Sequence, residues 1–228
     1  MKRLALPIAT LTGLLFPCLP TEAVCPKPDP KVCSEFFKSD AVFIGKVESH
    51  RTLPPKGSYY DGWLYHLRVR RVFRGTLGET VDVFTENSSG RFPLQVSREY
   101  LLFASQGEGR LEVDNCGNSS LFSEATARIP EIEKLGNAST GEIEGHVASR
   151  PTWSGVPGIQ VSVRGEGRTY ALVTDQNGWF RMTVEAGRYS IQVVSSHVSP
   201  FPLSYDDPDG FVVPRGGCAQ VQFIVEAK

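Results

Sequence analysis

The sequence has few of the residues and motifs from which active sites and metal centres are built. It contains only four histidines, five cysteines and two methionines among 228 residues. Gly-x-Ser-x-Gly, His-Glu-x-x-His and phosphate-binding glycine loops are absent, as are Cys-x-x-Cys and His-x-x-x-His pairs. His50, His66, His146 and His197 fall in what we interpret as unrelated strands or loops. We therefore expect no enzyme, no bound metal and no cofactor.

An excess of charge of one sign is also missing. Lys and Arg total 24 and Asp and Glu total 25, which gives a net charge of −1 and no basic footprint for nucleic acid. Trp63, Tyr65, Arg68 and Arg70 supply aromatic and basic groups, but their alternation places the two kinds on opposite faces of a strand. We expect no nucleic-acid partner.

No apolar run is long enough to span a bilayer, which takes roughly 20 residues. Residues 4–19 are apolar but are broken by two prolines and a glycine. Because Lys2 and Arg3 precede this run and small residues close it, residues 1–23 are interpreted as a signal peptide cleaved after Ala23. The alternatives are a membrane anchor and a lipoprotein cysteine at Cys18. We expect a secreted, periplasmic or cell-surface protein without stable membrane insertion after signal removal.

What is present favours β-structure in an oxidising compartment. Glycine (22) and proline (16) are abundant, as suits short strands joined by turns. Cys25, Cys33, Cys116 and Cys218 remain after removal of the signal peptide. An even number of cysteines in an exported chain predicts disulfides rather than zinc.

The N-terminal half alternates strands with turns and ends in a helix. Strands are expected at residues 41–47, 59–74, 80–85 and 100–104, with a hairpin from 100–104 to 110–113 across 106–109. Apolar residues then recur at helical spacing over 121–135, where Pro130 is expected to kink or divide the helix. Asn118, Ser119 or Ser120 is expected to cap the start of this helix. Residues 137–140 are expected to be a linker between domains.

The C-terminal half contains only strand and turn patterns. Strands are expected at residues 143–147, 159–163, 172–174, 180–184, 189–193 and 221–225, with a loop at 151–158. Asn177 and Gly178 predict a turn at 175–178, because both residues accept positive φ at low cost. Short strands at regular spacing predict a sandwich.

Residues 24–136 resemble the netrin-like domain of tissue inhibitors of metalloproteinases. The resemblance rests on Cys25, on Cys33 ahead of the strand at 41–47, on the apolar run at 100–104, and on Cys116 followed by a helix. It implies a five-stranded barrel of the oligonucleotide/oligosaccharide-binding type with flanking helices.

Residues 141–228 resemble the carboxypeptidase regulatory-like domain. The segments at 155–163, 174–180 and 186–191 carry the likeness, in the order found in that family. It implies a seven-stranded, transthyretin-like β-sandwich, so that the whole chain is expected to be mainly β.

Four cysteines permit three disulfide connectivities. In the implied barrel, Cys25 and Cys116 lie at one end, which favours their pairing and leaves Cys33 to join Cys218 across the two domains. The alternative of Cys33 with Cys116 and Cys25 with Cys218 stays open at this point.

The combined features predict an exported, non-enzymatic binding or scaffold protein whose partner is an unidentified protein or glycan outside the cytoplasm. A first alternative is a metalloendopeptidase inhibitor. In the inhibitors that residues 24–136 resemble, the amine and carbonyl of an N-terminal cysteine bind the protease's zinc, which makes Cys25 and Pro26 possible protease contacts. Val24 ahead of Cys25, and Lys27 at the position of the family's second cysteine, favour a structural disulfide instead.

A second alternative is carbohydrate binding. Sandwiches similar to residues 141–228 occur in carbohydrate-binding modules, where exposed aromatic rings stack on sugars. Trp153 lies in the loop at 151–158, and Trp179 precedes the inward-facing Phe180, so that alternation points it outward. Both tryptophans are therefore possible sugar contacts.

Overall fold

The computed structural model describes residues 25, 29–56, 59–60, 62–193, 198–201 and 205–226. The predicted signal peptide, Val24, Pro26 and His197 lie outside these residues. Across the described part of the chain, no helix has the length and apolarity needed to cross a membrane.

The described residues of the N-terminal half form three short α-helices and eight strands. The helices are α1 (Val32–Lys38), α2 (Phe122–Ala125) and α3 (Ile129–Ile132), and a 3₁₀ turn at Thr126–Arg128 joins the last two. The strands are β1 (Ala41–Thr52), β2 (Pro55–Lys56), β3 (Tyr59–Tyr60), β4 (Gly62–Arg74), β5 (Thr80–Glu86), β6 (Glu99–Gly107), β7 (Arg110–Glu112) and β8 (Ser120–Leu121).

The strand order of the main N-terminal sheet returns to its starting point. Pairing runs β1-β4-β5-β7-β6, β6 pairs again with β1, and β8 adds to β6. The β5–β7 pair is parallel and the other pairs are antiparallel. Strand β1 is longer than the predicted 41–47 because it pairs with two neighbours, β6 through Lys46 and β4 as far as Thr52.

The alternation predicted for β4 is observed. Trp63, Tyr65, Leu67 and Val69 contribute to the core enclosed by these strands, and Leu67 is fully buried. On the opposite face, Arg68 Nε lies 2.6 Å from a Glu48 carboxylate oxygen. The predicted hairpin is also present, with Gly107 opposite Arg110 across Glu108 and Gly109, both at positive φ.

Pro130 stands at the start of α3, so the predicted helical segment is divided rather than continuous. The predicted cap is wrong, because α2 begins after Leu121 without a side-chain capping bond. Asn118 and Ser119 instead bond to α1 and β6, and the Ser119 hydroxyl accepts from the Phe103 N–H at 2.9 Å. The helices and the outer face of β1 and β6 form a second apolar cluster that includes Val32, Phe36, Val42, Ile44, Leu101, Phe103, Ala125 and Ile132.

In the C-terminal half, the part of the chain that the structure describes forms two four-stranded sheets, ordered β11-β10-β13-β15 and β12-β9-β16-β14. The strands are β9 (Thr140–Arg150), β10 (Gln160–Gly165), β11 (Arg168–Val173), β12 (Trp179–Glu185), β13 (Gly187–Val193), β14 (Val198–Pro200), β15 (Phe211–Val213) and β16 (Cys218–Glu226). Strands β9 and β16 pair in parallel. The predicted sandwich is present, and its described residues form eight strands, whereas the resemblance implies seven. The sequence pattern predicts six, because β14 and β15 are too short to show alternation.

The two sheets enclose one apolar core. It contains Ile143, Val147, Val161, Val163, Phe180, Val184, Tyr189, Ile191, Phe211, Val213, Ala219, Val221 and Phe223. Gly145 leaves room for the ring of Phe180 on the neighbouring strand, because a Cβ there would lie 1.9 Å from Phe180 Cζ. The predicted turn precedes β12, with the Asn177 N–H donating to Asp175 Oδ1 at 2.8 Å and Gly178 at a φ of 77°.

Candidate functional site

Two disulfides fix the candidate site, and both are the pairs that the implied barrel favours. Cys25 is bonded to Cys116, and Cys33 to Cys218, across sequence separations of 91 and 185 residues. The alternative connectivity is wrong. Closing loops of this length stabilises the folded state by about 5 kcal/mol each in the chain-entropy model.

The segment that precedes α1 lies against the outer face of the β9–β16 sheet. The Lys31 N–H donates to Gln220 Oε1 at 3.0 Å, and Gln220 Nε2 donates to the Asp29 carbonyl at 3.1 Å. Because Gln220 is buried, its amide would reduce the stability of the fold if it were left without hydrogen-bond partners, and these two bonds satisfy it. The Cys33–Cys218 disulfide continues this contact covalently.

A charged group of side chains joins the same two elements. Lys31 Nζ lies 2.6 Å from Glu144 Oε2 and 2.8 Å from Glu142 Oε1. Arg181 Nε donates to the same Glu144 oxygen at 2.8 Å. The Glu144 side chain is only 5% exposed, so its charge requires these cations as partners.

A second contact joins α1 to the segment before Asp207. Lys38 Nζ lies 3.1 Å from Asp206 Oδ1 and also donates to the Tyr205 carbonyl. Asp206 Oδ2 in turn accepts from the Gln220 N–H at 2.7 Å. These bonds place Tyr205 opposite α1.

Between these contacts is a cavity of about 610 Å³, which we call the junction cavity. Its walls come from α1, from β5 and β6, from the segment that carries Cys116, and from Tyr205. Phe84 and Phe103 supply aromatic surface, and Glu35 and Glu112 supply carboxyl groups. Concave sites with apolar walls and a few converging polar groups are typical of ligand-binding sites, and they often occur where two domains meet.

Glu35 is the most perturbed carboxyl at this site. Burial raises its pKa from the ordinary 4.5 to about 7, although hydrogen bonds from Asn118 oppose the rise. The backbone N–H and Nδ2 of Asn118 both donate to Glu35 Oε2 at 2.6 Å. Gly117 leaves room for the carboxyl, since a Cβ there would lie 2.1 Å from Glu35 Oε1.

Tyr205 is the second perturbed group in the cavity wall. Burial raises the pKa of its phenol to about 12. Its hydroxyl oxygen is buried and has no hydrogen-bond partner among the residues that the structure describes. This site could not be recognised from sequence patterns, because its groups come from distant segments, with Glu35 and Tyr205 170 positions apart.

The two tryptophans predicted to contact sugar lie in different surroundings. Trp179 stacks on His146, with ring centroids 4.4 Å apart, and lines a groove of about 520 Å³ together with Asp175 and Arg181. Burial lowers the pKa of His146.

Trp153 is 47% exposed, as predicted. Its ring packs edge-on against Phe201 at 5.5 Å, below the Arg150 guanidinium at 5.3 Å. The described lining of the Trp179 groove does not include Trp153.

Two histidines are less scattered than the sequence indicates. His50 and His66 line one groove of about 360 Å³ with Asp82, because β1 and β4 are neighbours. His66 Nδ1 lies 2.8 Å from Asp82 Oδ1. Within the described ranges, no three His, Cys, Asp or Glu side chains are arranged to hold a metal ion.

The candidate protease contact is described in part. Cys25 lies beside the loop after β5, since the Asn115 N–H donates to the Gly90 carbonyl at 2.9 Å and Asn115 Nδ2 to the Ser89 carbonyl at 3.1 Å. Pro26 is outside the described residues.

No family model matches the chain, and no curated protein matches it. Among solved structures, it is similar to a streptococcal ancillary pilin at 12% identity and a TM-score of 0.29, covering 83% of this chain and 58% of that one. It is also similar to BcpA, the major pilin subunit of Bacillus cereus, at 9% identity and a TM-score of 0.30, covering 86% of this chain and 62% of that one. A C-terminal fragment of pilus adhesin SpaC from Lactobacillus rhamnosus GG is similar at 8% identity and a TM-score of 0.28, covering 90% of this chain and 94% of the fragment. The chain thus spans about three fifths of the length of the two pilins, and at such low similarity no functional property carries over from them.

Proposed function

We propose that the chain is an exported, non-enzymatic protein of two β-domains that acts as a rigid binding or scaffold module outside the cytoplasm. The domains are residues 24–136 and 141–228, joined by a linker at 137–140. The closed order of β1, β4, β5, β7 and β6 supports a five-stranded, OB-type barrel in the first domain. The two stacked sheets support a transthyretin-like sandwich in the second.

The observation that carries the proposal is the Cys33–Cys218 disulfide between α1 and the start of β16. Disulfides persist in oxidising compartments, which supports export. Because this bond and the Lys31–Glu144 ion pair tie the two halves at one contact, they hold surfaces of both halves in a fixed relation. A fixed relation between surfaces suits a protein whose role is contact.

The test compares two double variants. Removing Cys33 and Cys218 (C33S/C218S) is expected to broaden the distribution of domain orientations measured by residual dipolar couplings or small-angle scattering. Removing Cys25 and Cys116 (C25S/C116S) breaks a bond within one half and serves as the matched control. Equal rigidity of the wild type and C33S/C218S, or four free thiols in protein isolated from cells, would refute the proposal.

Carbohydrate binding is a second candidate, favoured by the Trp179 groove. The indole face is supported from behind by His146, and Asp175 and Arg181 offer hydrogen-bonding groups beside it. This arrangement suits a sugar ring that stacks on the indole and bonds through its hydroxyls. If the candidate is correct, W179A abolishes binding on a glycan array while V212A, at an exposed valine of the other sheet, retains it. Equal glycan binding by both variants counts against it.

Metalloendopeptidase inhibition is the third candidate, and Cys25 is again its central residue. The Cys25–Cys116 disulfide holds the start of the mature chain beside the loop that contains Ser89 and Gly90, which gives a protease one continuous rim to contact. N-terminal sequencing of the exported protein decides whether Cys25 carries a free amine. A mature start at Val24 removes the chelating group and rejects this candidate.

A further inference from the structure

We propose that His146 is a pH-sensitive switch: when neutral it holds the turn at 175–178 and the indole of Trp179 in place, and when protonated it releases them. The proposal concerns the shape of the Trp179 groove and holds whether or not that groove binds carbohydrate. His146 lies on β9, the strand between β12 and β16, and its side chain reaches the turn that precedes β12.

The His146 ring contacts both features. Its Nε2 lies 3.1 Å from the Asn177 carbonyl oxygen in the turn. Because a carbonyl oxygen only accepts, Nε2 carries the proton of the neutral imidazole. The face of the same ring stacks on the Trp179 indole, with ring centroids 4.4 Å apart and 29° between the planes. One side chain therefore supports the turn through a hydrogen bond and the indole through stacking.

The other ring nitrogen has no acceptor for a second proton. Nδ1 of His146 is buried and has no hydrogen-bond partner among the residues that the structure describes. In the imidazolium this atom becomes a charged N–H donor, and a buried charged donor without an acceptor is unfavourable. Protonation therefore favours a conformation in which the ring turns toward solvent and leaves Asn177.

The charged groups around His146 do not reverse this preference. Burial lowers the pKa of His146 below the ordinary 6.5, although the carbonyl to which it donates and the carboxylates of Asp175 and Glu144 oppose the fall. Asp175 Oδ1 accepts from two backbone N–H groups of its own turn, and Glu144 Oε2 accepts from Arg181. Strand β16 places the uncharged Gln222 beside His146. The stacked indole attracts an imidazolium but gives Nδ1 no acceptor.

The pKa of His146 is lower in the folded state than in the released state, which sets the direction of the switch. The released ring takes up the proton more tightly, so the contact is fully present above about pH 6.5 and weakens as the pH falls below this value. Acid therefore releases the turn.

Release of the ring changes the surroundings of the turn. The Asn177 carbonyl is enclosed on another side by Gly155, where a Cβ would lie 1.8 Å from the carbonyl oxygen. When His146 leaves, this carbonyl loses its donor, and an enclosed carbonyl without a donor is unfavourable. Because Asp175 and Trp179 flank the turn and line the groove of about 520 Å³, the groove loses its shape.

The experiment measures amide hydrogen exchange by NMR on the oxidised protein, with no ligand present. The N–H groups of Gly178 and Trp179 donate to Asp175 within the turn and report on its opening. From about pH 7.5 to about pH 5.5, their protection factors are expected to fall several-fold and at most about tenfold, the limit for a released ring that titrates near 6.5. The variant H146Q keeps a side-chain N–H donor but does not titrate, so its protection factors are expected to be equal at both pH values. H66Q, at a half-exposed histidine of β4, is the matched control and should follow the wild type.

A direct titration of the wild type complements the variants. The imidazole Cε1–H signal of His146 is expected to titrate with a midpoint below 6.5. A midpoint at or above 6.5, or an equal fall in protection in H146Q, would overturn the inference. Acidification over this range favours the protonated, buried Glu35 and so stabilises the rest of the fold, which distinguishes a fall confined to the turn from general unfolding. Carbohydrate binding is tested separately by W179A, so neither result decides the other.

Discussion

The pKa of Glu35 makes the stability of this fold depend on pH. In the folded state burial raises that pKa to about 7, whereas the unfolded carboxyl titrates near 4.5. The folded state therefore binds the proton more tightly, so the associated stability is fully present below pH 4.5 and is lost as the pH rises through about 7. At 1.36 kcal/mol per pKa unit, the loss is about 3 kcal/mol, of which about 2.5 kcal/mol falls between about pH 5 and pH 8.

The variant E35Q removes this titration while keeping an oxygen that accepts from the Asn118 N–H. Urea midpoints of the oxidised protein are measured near pH 5 and near pH 8. Relative to wild type, E35Q is expected to gain about 2.5 kcal/mol between the two conditions. E124Q, at an exposed glutamate of α2, is the matched control and should follow the wild type at both. Parallel pH profiles of wild type and E35Q would refute the assignment of the proton to Glu35.

Three further substitutions test the packing and the junction by urea unfolding. K31M leaves the buried Glu144 carboxylate with one cation fewer and is expected to lower the free energy of unfolding by about 1–2 kcal/mol. An unchanged urea midpoint would mean that the ion pair contributes nothing to stability. G145A places a methyl group against the Phe180 ring and is expected to lower the free energy of unfolding by about 1–3 kcal/mol. An unchanged urea midpoint would mean that the ring can move aside without loss of stability. L67A removes a fully buried side chain and is expected to lower the free energy of unfolding by about 2–5 kcal/mol; a smaller loss would show that neighbouring core side chains move in to fill the space left by Leu67.

The features that could be predicted from the sequence are those set by local pattern. Alternation along β4 identifies its inward face, because successive side chains of a strand point to opposite sides. The Glu108-Gly109 pair indicates the hairpin turn, and Pro130 indicates where the helical segment divides. Each of these depends on residues within a few positions of one another.

The features that could not be predicted depend on distant segments meeting. Asn118 is a residue type that commonly caps helices, but its side chain instead donates a hydrogen bond to Glu35, which lies 83 positions away. Likewise the proximity of His50 and His66 follows from the register of β1 on β4, and that register includes shifts that no periodicity in either strand reveals. The carboxyl groups of the junction cavity also come from distant segments, so they could be identified as neighbours only from the structure.

The covalent tie between Cys33 and Cys218 has a consequence for proteolysis. The chain between Gly136 and Thr140 is exposed at every position, and exposed connecting segments are preferred sites of proteolytic cleavage. A single cut there would lie inside the loop that this disulfide closes, so the two fragments would still migrate as one species until a reducing agent is added. Nicked molecules would thus stay in one piece as long as the disulfide remains oxidised.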